Sequence, residues 1–297
     1  MLKTLYLHIG SEKTGSSFLQ SLLLRDFDFI MDQGCTLSRS LLERHSLLCI
    51  PFASRANTND IIGVRSYQNV CKLALESLTS FASSCGTNSL LSSEFIHSRI
   101  RTPSEVARLK NFFYQYYDVI RVICYYRDPW KKAVSLLSEG LKATSSDLSL
   151  NALSNEYFFH SCSLVRTFSL WDSFFDSFDF VSYDDVTSIP NGLARDFFFR
   201  TNLPLRKTKD SIRPNLTFNR SLSLHEAKVL SLLNQYLYPF IPLPSRIVDR
   251  LGRRLNRIFL TMSSSFECSQ SSSLSSFFTD VDREYWLNSF DTYDYSR

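Results

Sequence analysis

Four short apolar runs punctuate the chain: Thr4–Ile9, Ser89–Ser93, Val119–Tyr126 and Phe178–Tyr183. Each is rich in leucine, β-branched or aromatic residues and ends in polar ones, the pattern of a buried strand. Helical spacing fills the intervals. Phe18, Leu19, Leu22 and Leu23 follow the first run; Val70, Leu73, Ala74, Leu78 and Phe81 precede the second; Val106, Leu109, Phe112 and Phe113 precede the third. Strands alternating with helices predict an α/β fold with a central parallel sheet flanked by helices. In such sheets ligands bind beyond the carboxyl ends of the strands, so the residues just after each run carry the chemistry.

Beyond residue 186 the pattern turns mostly helical. Ser223–Leu237 reads as a helix whose Ser223 and Glu226 form a capping-box pair. Leu243–Phe259 reads as another, with Ile247, Val248, Leu251, Leu255 and Ile258 on one side and Arg246, Arg250, Arg253, Arg254 and Arg257 on the other. That basic side suits an anionic membrane surface or a polyanion, or simply solvent. Residues 263–276 hold nine serines and read as a linker. The aromatic end, with Tyr285, Trp286, Phe290, Tyr293 and Tyr295, is expected to dock back. The expected division is one domain over 1–262, followed by a Ser-rich linker and aromatic segment over 263–297.

Composition narrows the function classes. Lys+Arg number 33 against Asp+Glu 29, a net charge of +4. That excess is too thin for a protein that coats nucleic acid, and it fits one basic pocket for an anionic small ligand. The seven cysteines include no CxxC and form no zinc pattern with the five histidines, so reduced thiols and no metal are expected. The chain shows neither a signal peptide nor an apolar run of membrane-spanning length, which predicts a cytoplasmic location. The sequons at Asn215 and Asn219 then have no meaning as glycan acceptors.

The richest stretch is Leu7-His8-Ile9-Gly10-Ser11-Glu12-Lys13-Thr14-Gly15-Ser16-Ser17-Phe18-Leu19-Gln20. A strand feeds a loop with two glycines, a lysine and hydroxyl residues, and then a helix. Such a loop points backbone N–H groups at one spot, and the helix N-terminus adds partial positive charge. Lys13 adds a full charge, while Thr14, Ser16 and Ser17 add hydroxyls. Gly10 and Gly15 match the glycine spacing of the nucleotide triphosphate loop G-x-x-x-x-G-K-[ST], but Ser16 stands where its lysine belongs. A P-loop kinase or NTPase is therefore the weaker reading. In isolation, the stretch is also compatible with a plain turn carrying a surface lysine.

A second block runs from Val122 to Ser135: Val-Ile-Cys-Tyr-Tyr-Arg127-Asp128-Pro129-Trp-Lys-Lys-Ala-Val-Ser135. Asp128 suits an N-cap and Pro129 the first helical position. Arg127 offers a planar fork for a phosphate, and Ser135 a hydroxyl one helix turn or more beyond it. The end of the second run, Ser92-Ser93-Glu94, places Glu94 at the active edge as a candidate base, with His97 as the fallback. His8 is expected to be packed inside, and His45, His160 and His225 to lie at the surface.

Lys13-Thr14-Gly15-Ser16-Ser17 after a first strand resembles the 5′-phosphosulfate loop of the sulfotransferase family, bacterial and carbohydrate members in particular. Those enzymes use 3′-phosphoadenosine 5′-phosphosulfate (PAPS). Arg127 and Ser135 are similar to that family's 3′-phosphate site. Phe180–Val186 looks like its later strand with an acidic turn, and Arg213–Ser223 like its closing segment. The resemblance spans about residues 3–236, and Glu12 departs from it. It implies a P-loop-type sulfotransferase fold and a sulfuryl transfer from PAPS to a hydroxyl, most naturally of a carbohydrate. Lys13 would stabilise the leaving phosphate. Thr14, Gly15, Ser16 and Ser17 would hold the 5′ group, and Arg127 with Ser135 the 3′ group. Lys207, Lys209 and Arg213 stand where relatives close over the nucleotide. A catalytically inactive nucleotide or glycan binder is the remaining alternative.

Overall fold

The computed structural model describes residues 2–62, 66–84, 86–143, 149–153, 156–175, 177–205, 222–237, 252–256, 260 and 274–291. Its strands are β1 (Thr4–His8), β2 (Cys35–Thr36), β3 (Asn88–Ser92), β4 (Val119–Tyr126) and β5 (Ser177–Ser182). The helices used below are α1 (Ser16–Arg25), α2 (Tyr67–Ser83), α3 (Glu94–Arg99), α4 (Pro103–Phe113), α5 (Pro129–Lys142), α6 (Glu156–Cys162), α7 (Leu164–Asp172), α8 (Tyr183–Thr187), α9 (Gly192–Arg200), α10 (Leu224–Leu232) and α11 (Asp280–Asp291).

The chain divides into two compact units, residues 1–127 with 164–214, and residues 128–163 with 215–297. The first contains the sheet. Its order is β2-β3-β1-β4-β5, and every pairing is parallel. Strand alternation sends successive side chains to opposite faces, and both faces are covered. Leu5, Leu7, Ile9, Leu91, Ile120, Val122 and Cys124 bury against Val70, Leu78 and Phe81 of α2 and Val106, Leu109 and Phe113 of α4. Tyr6, Leu90, Ile123, Tyr125 and Val181 bury against Leu19, Leu22 and Leu23 of α1 and Phe197 and Phe198 of α9. All four expected strands are present within a residue of their expected bounds. The two-residue β2 is additional; it is too short to leave an apolar run.

The entry to α4 is locked by a carboxylate. Thr102 Oγ1 accepts from the Glu105 N–H at 3.3 Å, and Glu105 Oε2 accepts from the N–H groups of Thr102 at 3.0 Å and Arg101 at 2.7 Å. Glu105 Oε1 accepts from the Ser54 N–H at 2.6 Å. One buried side chain thus satisfies three backbone donors from two segments of chain.

The second unit has its own core. Trp130, Ala133, Val134 and Leu137 of α5 pack with Phe158 and Phe159 of α6, Ala227 and Leu230 of α10, and Trp286 of α11. Trp286 is fully buried and its indole N–H donates to the Leu153 carbonyl at 3.0 Å. The capping box of Ser223 and Glu226 opens α10 as the spacing predicts, and a π turn carries the helix on over Leu233–Leu237. His160 is buried and not at the surface, because α6 turns that side inward beside Phe158 and Phe159. Arg253 and Arg254 are exposed on a short helical stretch over 252–256. Arg246, Arg250, Arg257, Lys207, Lys209, Arg213, both sequons and most of the serine run lie outside the described residues. Among the described residues no helix is long and apolar enough to cross a membrane.

Glu105→Ala strands three backbone donors at once. It should lower unfolding stability by about 2–4 kcal/mol, measured by urea denaturation. A loss below about 1 kcal/mol would mean that water replaces the carboxylate at no cost.

Candidate anion site at the carboxyl edge of the sheet

The parallel pairing brings the ends of four strands to one edge. β1 leads into the loop Ile9–Gly15, β3 into Glu94, β4 into Arg127 and β5 into Tyr183 and Asp184. All of these belong to the first unit. Register aligns them: His8 pairs with Ser92 on one side and with Ile123 on the other.

The loop is held open by backbone conformation. Gly10, Lys13 and Gly15 have φ of 52°, 69° and 78°. Gly15 caps α1 without a side chain, and the first turn of the helix has neither a side-chain cap nor an acidic residue. Its N–H groups and the dipole are therefore left for an anion. Both glycines are also required by space. A Cβ at Gly10 would stand 2.5 Å from Ser16 Oγ and 3.1 Å from the Glu94 Cα; one at Gly15 would stand 2.5 Å from Leu193 Cδ2 and 3.3 Å from Tyr183 Cε2. Lys13 has no such freedom. A β-carbon in the left-handed region costs on the order of 1 kcal/mol, and such strain concentrates at functional loops.

The hydroxyls divide. Thr14 is fully buried and donates inside the loop, to the Ser11 carbonyl at 2.5 Å, which closes the turn. Ser16 is 5% exposed, and its Oγ has no hydrogen-bond partner among the described residues. A buried hydroxyl at a bare helix N-terminus is a donor waiting for an acceptor. Ser17 is exposed. This is the donor set that an anionic group would need, so the residues fit a phosphosulfate or phosphate.

Glu12 does not oppose that fit. Its Oε1 lies 3.9 Å from Nη1 of the nearly buried Arg99, whose guanidinium also lies over the Phe95 ring at 5.5 Å. The acid thus has a cation beside it within the same unit.

Glu94 is the first residue of α3, with Ser93 as the N-cap. Its Oε2 accepts from Gln20 Nε2 of α1 at 2.9 Å, and His45 Nδ1 lies 3.4 Å from the same oxygen. Gln20 also donates to the Ser92 carbonyl at 3.4 Å. Neither Gln20 nor His45 was singled out by sequence reasoning. Gln20 closes the loop motif one turn into α1, a signal that was present. His45 is distant in sequence and only the fold brings it near. It is half-buried beside Glu94 and Phe95, not a surface residue. The fallback base, His97, is buried in the same unit and its Nε2 meets Thr167 Oγ1 of α7 at 2.9 Å.

Arg127 ends β4. Its Nε lies 3.7 Å from Asp184 Oδ1, and its guanidinium carbon lies 5.7 Å from the Tyr183 ring centre, the same ring that faces Gly15. Asp128 caps α5 by accepting from the Lys131 N–H at 2.9 Å, with Pro129 in the first turn, as the motif predicts. Ser135 is half-buried on α5 in the second unit. Among the described residues there is no group of three or more histidine, cysteine, aspartate or glutamate side chains arranged for a metal.

His8 sits within β1, fully buried as expected. Its Nδ1 meets Ser92 Oγ at 2.8 Å, and Tyr125 and Phe197 present edges to the ring at centroid distances of 5.8 and 5.3 Å. Desolvation lowers its pKa to about 3.

No protein-family model matches the chain, and no curated protein matches it in sequence. Among solved structures, it is similar to a sulfotransferase from Alicyclobacillus acidocaldarius, at 13% identity over 71% of this chain and 89% of that one, with a TM-score of 0.45. It is also similar to the sulfotransferase domain from the curacin biosynthetic pathway, at 10% identity over 86% of this chain and 97% of that one, with a TM-score of 0.37.

The depressed His8 pKa makes stability depend on pH. The unfolded chain takes up a proton near pH 6.5, the folded one only near 3. The stabilisation is therefore complete above pH 6.5 and is lost as pH falls toward 3, at up to about 1.4 kcal/mol per pH unit from this residue. His8→Gln should flatten the denaturation midpoint between pH 6 and 4 relative to the wild type (about 6 and about 4 being the window that the two values set). An unchanged slope would show that the imidazole accepts its proton without unfolding.

Proposed function

We propose that this protein is a sulfotransferase that moves a sulfuryl group from PAPS to an acceptor hydroxyl, with a carbohydrate as the acceptor class. The observation that carries the reading is the buried, unpartnered Ser16 hydroxyl at the bare N-terminus of α1, within a loop whose only full positive charge is Lys13. A triphosphate loop would place its lysine at position 16, inside the helix turn. Here a small hydroxyl occupies it, which suits a compact phosphosulfate better than a β,γ-phosphate chain.

In this reading the backbone N–H groups of Thr14, Gly15 and Ser16, with the hydroxyls of Ser16 and Ser17, hold the 5′ group. Lys13 stabilises charge as it develops on the leaving phosphate oxygen, where a preorganised cation is most effective. Arg127 binds the 3′-phosphate. Glu94, on the neighbouring strand end, serves the acceptor side. Asp184 beside Arg127 has a consequence: the nucleotide must take over a guanidinium that already has a carboxylate neighbour. The arginine is thus preoriented, and its loss would leave Asp184 facing the phosphate directly.

Calorimetry with adenosine 3′,5′-bisphosphate and a sulfate-label transfer assay from PAPS to pooled oligosaccharides separate the roles. Arg127→Ala should weaken bisphosphate binding by about 2–4 kcal/mol. Lys13→Ala should keep the bisphosphate bound yet cut turnover on the order of 10²-fold or more. Equal bisphosphate affinity in wild type and Arg127→Ala would overturn the 3′-phosphate assignment. A turnover loss in Lys13→Ala no larger than the affinity loss would make that lysine a ground-state contact.

A further inference from the structure

The geometry points to a Glu94–His45 dyad in which His45 Nε2, and not the Glu94 carboxylate, takes the proton from the acceptor hydroxyl. The inference rests on the transfer reading above and deepens it at the acceptor side.

Three observations carry it. First, Glu94 is not a free carboxylate. Its Oε2 already accepts from Gln20 Nε2 at 2.9 Å and has His45 Nδ1 at 3.4 Å, and the side chain is only 16% exposed. A carboxylate oxygen that already accepts from an amide donor on α1 is held in place and has fewer lone-pair directions left for an acceptor hydroxyl. Second, Nδ1 is the imidazole nitrogen that lies near that carboxylate, 3.4 Å from Oε2 and not aligned as a hydrogen bond. A small rotation of the ring would let an Nδ1–H donate to Oε2, which leaves Nε2 bare, the tautomer a base requires. A 3.4 Å separation is a length that tightens when substrate closes a site. Third, His45 Nε2 has no hydrogen-bond partner among the described residues, while its ring rests against Phe95 at 5.5 Å between centroids. The dyad also abuts the anion loop, since a Cβ at Gly10 would stand 3.1 Å from the Glu94 Cα.

In the step, the acceptor O–H proton passes to His45 Nε2 as the oxygen forms a bond to sulfur. The bond between sulfur and the bridging oxygen breaks, and its electron pair stays on the 5′-phosphate. Glu94 stabilises the imidazolium, which later releases its proton to water. No oxidation or reduction is involved. Glu94 is a positioning residue in this scheme, and Gln20 positions Glu94.

Other charged groups near the histidine are accounted for. On α3, Arg99 is paired with Glu12, and His97 meets Thr167. On the helix Arg39–Glu43, Arg39 lies 4.0 Å from Asp28 and Glu43 is exposed. On α2, Lys72 and Glu76 face each other at 3.9 Å in solvent. Arg44, next to His45, is exposed.

Histidine-selective ¹⁵N NMR on the whole protein tests the dyad without any acceptor. Neutral His45 should be the Nδ1–H tautomer, and that preference should weaken in Glu94→Gln. An Nε2–H tautomer in the wild type, or a tautomer preference indifferent to Glu94→Gln, overturns the dyad. Kinetics then test the role. His45→Gln should bind adenosine 3′,5′-bisphosphate like wild type and lose on the order of 10²-fold or more in turnover of PAPS. Glu94→Gln should retain more activity than His45→Gln. Wild-type turnover in a folded His45→Gln overturns the base assignment, as does a folded Glu94→Gln that is less active than His45→Gln. Failure of the wild-type protein to bind the bisphosphate would instead sink the transfer reading and leave the NMR result standing on its own.

Discussion

The close approach of the Gly10 backbone to Glu94 organises the whole carboxyl edge. Parallel pairing of β1 with β3 sends the loop after one strand past the helix start after the other. Only a residue without a Cβ lets the two backbones meet. That contact puts α1 beside α3, so that Gln20 reaches Glu94 one turn into its helix. Left-handed conformations at Gly10, Lys13 and Gly15 keep the loop from forming a regular turn.

Charge at this edge is arranged in pairs, not as one basic field. Glu12 lies against Arg99, Asp184 against Arg127 and Glu94 against His45. Asp184 and Arg127 stay partly in water, where their attraction is modest, whereas Glu12 and Arg99 are largely withdrawn from it and interact more strongly. Lys13, in its left-handed turn, is the one cation of the anion loop itself. The chain's small net charge of +4 is consistent with a site that concentrates positive potential locally rather than over a surface.

Much of this was legible from the residues. The apolar runs located β1, β3, β4 and β5, because strands buried on both faces need near-continuous hydrophobicity. Asp128-Pro129 and the Ser223–Glu226 pair marked helix starts through local capping chemistry that no tertiary context had to supply. The loop's glycines and lysine were visible for the same reason. What stayed hidden depends on long-range packing. His45 carries no local signal, and its place beside Glu94 arises only from folding of the segment after β2 against α3. The pairing of Glu12 with Arg99 likewise joins residues from two elements. The division into two units is hidden as well, since each is assembled from two separate stretches of chain.

The central claim is that the β1 loop and Arg127 together bind a nucleotide carrying both a 3′- and a 5′-anionic group. Calorimetric titration of the intact protein with adenosine 3′,5′-bisphosphate, adenosine 5′-monophosphate and ATP measures this directly. The account predicts the bisphosphate to bind tightest, with removal of the 3′-phosphate costing on the order of 2 kcal/mol or more. Tighter binding of ATP, or equal affinity for the bisphosphate and the monophosphate, would contradict it.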